Sequence, residues 1–200
     1  MSRDTEREPA GLTARASERG AATRTALLAA AREAFLTGGF ADTGVTDIVS
    51  RAEASVGSLY HHFSGKADLY LTLFEEFQER QARRTRQAVH TARATGEDDP
   101  VRLFVAGARA YLDGCLTERE IAALFLRGDG PPGFEVVMRE RLRRWTRRSA
   151  SLFDGENALV VVLTGALDAA VIEVVLSPDE ETSRALAENV LGIIGQIRRP

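Results

Sequence analysis

Between Val45 and Phe63 the chain reads VTDIVSRAEASVGSLYHHF, in which two short helical patterns meet across a three-residue break. That spacing is a helix-turn-helix signature. In the first half Val45, Ile48, Val49 and Ala52 recur at i, i+3, i+4 and i+7, which places one apolar stripe on a helix of about two turns. After Glu53-Ala54-Ser55 the second half opens with Ser55 as a natural N-cap, and Val56, Leu59 and Phe63 continue the inward face. The outward face carries Gly57, Ser58, Tyr60, His61 and His62. These small, aromatic and hydrogen-bonding groups suit contact with a DNA groove and its phosphates.

The same stretch resembles the helix-turn-helix of the TetR family of transcriptional regulators. The residues at that family's fixed places are Ile48, Ala52, Ser55, Gly57, Leu59, Tyr60, His62, Phe63 and Lys66. The segment from Ala34 to Phe40 looks like the close of the family's first helix and the connection into its second. Three positions depart from the pattern. Glu53 stands where the family usually has glycine, and a non-glycine residue at positive φ costs free energy. Gly44 replaces the Ser or Thr that caps the second helix, so a side-chain phosphate contact is lost there, with Thr43 and Thr46 beside it. Val49 replaces a common alanine, a change of packing only.

Two hundred residues, 44% apolar and 28% charged, describe a soluble globular chain of one or two domains with ample core. A formal net charge of −3 argues at first against nucleic acid, but distribution matters more than the sum. From Arg15 to Lys66 positive residues slightly outnumber negative ones, so affinity has to draw on dimerisation and on helix N-termini aimed at phosphates as well as on side-chain charge. Cys115 is the single cysteine and cannot form an internal disulfide, and no metal-ligand cluster or cofactor motif is evident; a reducing cytoplasm is the expected compartment. Residues 1–17 lack the apolar core of a signal peptide and read as a disordered charged arm. The run from Ala158 to Leu176 is apolar enough to suggest a membrane span, but Asp168 and Glu173 inside it favour a buried helix of a soluble bundle.

Elsewhere the pattern is helical almost throughout. A first helix begins between Glu18 and Thr23 and ends at Leu36, with Leu27, Leu28, Ala31, Ala34 and Phe35 inward and Gly38-Gly39 as its stop. A long fourth helix starts around Lys66. Pro100 fits the first turn of a fifth, and Thr117 with Glu120 reads as a capping box for a sixth. Three more helices follow, over roughly 134–153, 155–176 and from the turn at Ser177-Pro178 onward. Val160 to Leu163 and Val174 to Leu176 are β-branched, but no segment alternates with period two over a useful length. The expected architecture is all-α: an arm at 1–17, a helix-turn-helix head at 18–65 and a helical body at 66–200.

The resemblance implies that the last two helices pair with those of a second copy in a four-helix bundle, and Gly165, Ala166 and Ala169 offer a flat surface for close approach, with Val190, Leu191 and Ile194 on the ninth helix. Packing within one subunit is the alternative. Two recognition helices about a twofold axis fit successive major grooves about 34–36 Å apart, so the expected target is an inverted repeat. Thr43, Thr46, Ser55, Tyr60 and Lys66 are the expected phosphate contacts; Val56, Gly57, Ser58 and His61 face base edges. Tyr60 and His62 could instead brace the third helix. The resemblance further implies a repressor released when a small molecule enters the body and shifts the fourth helix. Phe74, Phe77, Phe104, Tyr111, Phe125, Trp145 and Leu163 are the large side chains placed to surround such a ligand, or else plain core. Arg109, Asp168 and Glu173, charges within apolar helices, must be paired, exposed or aimed at a ligand.

Two other classes remain to be weighed. Gly128-Asp129-Gly130-Pro131-Pro132-Gly133 formally satisfies G-x-G-x-x-G, but two prolines remove N–H donors and a helix rather than a strand precedes it, which disfavours a nucleotide-binding enzyme. His61, His62 and His90 have no carboxylate at metal-binding spacing. A helical protein-interaction adaptor would keep the bundle but make no use of Tyr60 or Lys66.

Overall fold

The computed structural model describes residues 10–154 and 157–197, and these form nine helices with no strand among them: α1 (Ala10–Asp42), α2 (Val45–Arg51), α3 (Val56–His62), α4 (Lys66–Ala94), α5 (Pro100–Thr117), α6 (Arg119–Leu126), α7 (Phe134–Ala150), α8 (Asn157–Leu176) and α9 (Glu180–Gly195). The all-α class expected from periodicity is the one observed. Two compact units divide within α4, between Leu73 and Phe74, rather than at its start. Residues 10–17, expected in an unstructured arm, are the first turns of α1: this stretch is alanine-rich and proline-free, so nothing stops the helix from extending toward the N-terminus. The rest of the expected arm, 1–9, lies outside the described residues.

In the first unit α1 packs on α2 and α3, and α2 packs on α3. Leu27, Leu28, Ala31, Ala34 and Phe35 are buried, as the stripe on α1 predicts, together with Ile48, Val49, Leu59 and Phe63. Gly39 breaks α1 at φ 77° and ψ 174°, a region open essentially to glycine alone. The break turns Phe40 back onto the head. There the rings of Phe35, Phe40 and Tyr70 form a triangle with centroids 5.3–5.7 Å apart, in tilted and edge-on contacts.

The second unit is built around α5 and α8. α5 packs on α6, α8 and α9, and α8 packs on α5, α6, α7 and α9. Pro100 occupies the first turn of α5, and the Asp99 side chain accepts from Arg102 N at 2.9 Å. The step from α5 to α6 differs from the expected capping box. Thr117 is the last residue of α5 and its hydroxyl donates back to Asp113 O at 2.8 Å, while Glu118 is the single hinge residue (φ −110°, ψ 40°). Its carboxylate is engaged elsewhere. The long apolar run Ala158–Leu176 could span a membrane by length and composition, yet Val160, Leu163, Leu167, Val171, Val174 and Val175 are buried inside this unit.

Two glycines let α5 approach α4 closely. A Cβ on Gly107 would sit 3.1 Å from Thr85 Cγ2 and Val89 Cγ2, and one on Gly114 would sit 2.0 Å from Gln81 Oε1. At this seam Glu118 receives Arg80 Nε at 2.8 Å, Gln81 Nε2 at 3.2 Å and Arg84 Nη1 at 2.5 Å. Burial works against the Glu118 charge, but the hydrogen bonds and fields of Arg80 and Arg84 outweigh it and hold the carboxyl below its ordinary range. A depressed folded-state value stabilises the protein above the unfolded carboxyl pKa, and the benefit is lost as pH falls through the folded value. Glu118→Gln is therefore expected to lower stability at pH 7 by about 1–3 kcal/mol and to flatten the acid side of the stability profile. Urea unfolding of both proteins between pH 3 and pH 7 measures the difference.

Candidate nucleic-acid interface

The turn between α2 and α3 has the hydrogen bonding of a Schellman cap: Ala54 N donates to Val49 O at 2.9 Å and Glu53 N to Ser50 O at 3.3 Å. Such a cap requires a left-handed residue, and Glu53 supplies it at φ 50°. The geometry favoured by glycine is thus kept with a side chain in its place, at a steric cost of about 1 kcal/mol. α3 then opens on Ser55, whose hydroxyl oxygen accepts from Ser58 N at 3.0 Å and whose hydroxyl also donates to Ser58 Oγ at 3.1 Å. At the start of α2 the Gly44 N–H donates to Asp47 Oδ2 at 3.0 Å, and no side chain caps from position 44 itself.

These caps fix which face of α3 is free. Leu59 and Phe63 are buried, as their periodicity predicts, while Val56, placed with them on the inward stripe, is 44% exposed and stands with Gly57, Tyr60 (57% exposed) and His61 on the outer face. Val56 is the first residue of α3. Ser58 is half-buried. His62 is also half-buried, edge-on to the rings of His61 and Phe63, with its Cε1 3.8 Å from where a Cβ on Gly20 would stand. His62 therefore braces α3 against α1. On α2, Thr46 is exposed.

Two expected phosphate contacts are re-assigned. Thr43 is buried, and its hydroxyl faces Gly39 O at 2.6 Å and Ala34 O at 3.2 Å across the end of α1. Lys66 lies over the Phe40 ring at 4.5 Å, and its ammonium donates to Phe40 O, Ala41 O and Thr43 O at 2.8, 3.0 and 3.0 Å. Three donors meet three carbonyls, so the ammonium is spent inside the head. The sequence carried no signal for this, because the partners are backbone atoms more than twenty residues away. A lysine after the turn reads equally well as a phosphate ligand.

The expected body residues are placed as follows. Phe74, Phe77 and Phe125 are buried in one aromatic cluster with Phe134, with ring centroids 5.0–6.2 Å apart. Phe104, Tyr111 and Trp145 form another, Trp145 lying stacked 5.9 Å from Phe104 and 6.0 Å from Tyr111. Leu163 is fully buried. None of these seven lines the open groove of about 510 Å³ bounded by Arg93, Glu97, Asp98, Leu103 and Leu152. Gly165, Ala166 and Ala169 are exposed along α8 beside Val161, Val162, Ile172 and Leu176. On α9 the expected face is corrected: Leu191 and Ile194 are buried within the subunit and Val190 half-buried, whereas Gly192 and Ile193, the latter 67% exposed, point outward. Both faces of α9 are apolar enough to pass for an interface in sequence. Among the three charges in apolar helices, Arg109 makes a two-pronged pair with Glu188, Glu173 is exposed, and Asp168 stands 4.0 Å from Arg141.

The family model for bacterial regulatory proteins of the tetR family matches residues 27–73, the second half of α1 through the start of α4. Over these residues the chain carries the helix-turn-helix region of the tetR family. Among curated relatives, transcriptional regulator AcuR of Cereibacter sphaeroides is 32% identical over 139 residues, or 64% of this chain and 59% of AcuR. HTH-type transcriptional regulator UidR of Escherichia coli is 39% identical over 67 residues, about a third of each chain. The alignments thus span less than two thirds of the relatives' own lengths. The crystal structure of a TetR-family transcriptional regulator from Pectobacterium atrosepticum superposes with a TM-score of 0.58 at 25% identity, covering 92% of this chain and 98% of that one. A TetR-family structure from Syntrophomonas wolfei reaches 0.68 at 15% identity, with 86% and 92% covered, which speaks for the fold.

Two substitutions separate the turn from the lysine. Glu53→Gly is expected to raise stability by about 0.5–1 kcal/mol by removing the left-handed penalty. Lys66→Ala is expected to lower it by about 1–3 kcal/mol by stripping three carbonyls of their donor. Thermal unfolding of the full chain reads both, and opposite signs are the result that fits.

Proposed function

We propose that this chain is a DNA-binding transcriptional repressor of the TetR family that grips an inverted-repeat operator as a homodimer and lets go when a small molecule enters its body. The observation that carries the reading is the outer face of α3, where Val56, Gly57, Tyr60 and His61 project from a helix held by caps at both ends. Gly57 has no side chain to keep the helix from the groove floor, Val56 offers an apolar contact to a thymine methyl, and Tyr60 and His61 carry hydrogen-bonding groups to phosphates and base edges. Thr46 and Ser55 flank this face from the starts of α2 and α3.

The second copy is inferred from α8 and α9. Val161, Val162, Gly165, Ala166, Ala169, Ile172, Leu176 and Ile193 are apolar and exposed on one chain, and clustered exposed apolar residues mark interaction surfaces. A twofold axis would cover this patch with itself, and the small residues at 165, 166 and 169 would let the helices come close. Two α3 helices would then serve one pseudo-palindromic site. α4 is one uninterrupted helix from Lys66 to Ala94 and belongs to both compact units, so it is the covalent route by which events in the body could alter the head. A regulator of this kind works in the cytoplasm and needs no catalytic group. In keeping with that, burial pushes the Cys115 thiol up to about 12, far from the range of a reactive thiolate.

The experiment is selection of bound fragments from genomic DNA with the purified protein, followed by affinity measurements on the recovered site. Tyr60→Ala and His61→Ala should each weaken operator binding by about tenfold or more with the dimer intact by sedimentation. Ala169→Glu should give monomers and lose operator binding together. Unchanged affinity in all three variants would overturn the reading.

A further inference from the structure

The body of the protein holds a largely buried cation whose hydrogen bonds go to neutral side chains. Arg141 on α7 has a side chain only 13% exposed. Its Nε donates to Gln78 Oε1 at 3.1 Å on α4, and its Nη2 donates to the Tyr111 hydroxyl at 2.7 Å on α5. The nearest carboxylate is Asp168 on α8, at 4.0 Å, beyond hydrogen-bond distance and itself 35% exposed. The other buried-seam arginines behave differently: Arg80 and Arg84 share Glu118 at hydrogen-bond distance. A buried guanidinium that keeps its counter-ion at arm's length is costly unless something else completes it.

What surrounds Arg141 narrows the chemistry. Trp145, one turn further along α7, lies stacked on Tyr111, and the Arg141 guanidinium sits 5.7 Å from the Tyr111 ring centre. Burial drives both neighbouring acids toward their neutral forms: Tyr111 is raised well above the ordinary phenol range and the Cys115 thiol up to about 12. The cluster therefore presents a fixed positive charge, a neutral amide, a neutral hydroxyl and a flat aromatic wall. A guanidinium fork matches a carboxylate in two parallel hydrogen bonds, and the aromatic wall accepts an apolar body.

We propose that Arg141 is the anchor of an effector site for small organic carboxylates, with Asp168 as the internal carboxylate that the guest replaces beside the guanidinium. Tyr111 and Gln78 position the fork, and Trp145 packs against the apolar part of the guest. This deepens the proposed function by naming the effector's class, and it rests on that reading only for the consequence that binding the acid releases DNA.

Trp145 is the sole tryptophan of the chain, so its fluorescence reports on this cluster alone. The full-length protein is titrated with benzoate and hexanoate, and with benzamide and hexanamide as neutral matches, followed by Trp145 emission and by calorimetry. At least one acid is expected to give a saturable change, with its amide weaker by about tenfold or more. Arg141→Gln, checked for folding by circular dichroism, should lose the acid response. Asp168→Asn removes the competing carboxylate and should bind the acid about threefold tighter or better. No saturable response to either acid, equal binding of acid and amide, or weaker binding by Asp168→Asn overturns the proposal. Operator binding without added acid is measured separately. Retained DNA binding with no acid response sinks only the effector site, while acid binding by a protein that holds no operator sinks only the regulator reading.

Discussion

A chain made of helices must satisfy the unpaired N–H and C=O groups at every helix end, and this constraint organises the protein more than any single hydrophobic contact. Different residues meet it at different ends. Asp47, Ser55, Asp99 and Asp179 accept from N-terminal amides. At carboxyl ends cations do the corresponding work: Lys66 gathers the carbonyls that follow the break in α1, and Arg119 donates to Val175 O and Ser177 O where α8 stops. The α2 end uses the backbone itself, with Glu53 held left-handed so that two amides can turn inward. Each cap also sets the direction in which the next helix leaves. The exposed face of α3 is in this sense a by-product of Ser55 and Glu53.

The body handles its charges in two ways. Glu118 is saturated by two arginines and an amide at the α4–α5 seam, which makes it a structural tie. Arg141 is held by neutral acceptors with Asp168 set back, and the difference in hydrogen-bond partner is what marks it as available. Burial alone would not separate the two, since Glu118 is also mostly covered.

What depends on local periodicity was legible in the chain, and little that depends on distant backbone was. The apolar stripes of α1 and α2, the stop at Gly39, the N-cap at Ser55 and the helix start at Pro100 follow from short-range rules and were all legible. The role of Lys66 was not, because its three acceptors are carbonyls brought near by the break in α1. Leu191 and Ile194 were placed on the wrong side of α9: when both faces of a helix are apolar, periodicity cannot say which one its own subunit covers. Thr117 looked like a cap because it has the right neighbour at the right spacing, yet α5 simply continues through it. The glycines at 107 and 114 were silent in the same way, since a missing side chain declares its purpose only against the helix that fills its place.

Those two glycines bear on how α4 and α5 can move against each other. Helices that meet through side-chain ridges are geared together, and sliding one along the other means climbing each ridge in turn. Where the ridge is missing at two points seven residues apart, Thr85, Val89 and Gln81 of α4 seat in the gaps and resist axial slip. The ionic tie at Glu118 fastens the same seam at the end of α5, so the two helices are keyed as well as bolted.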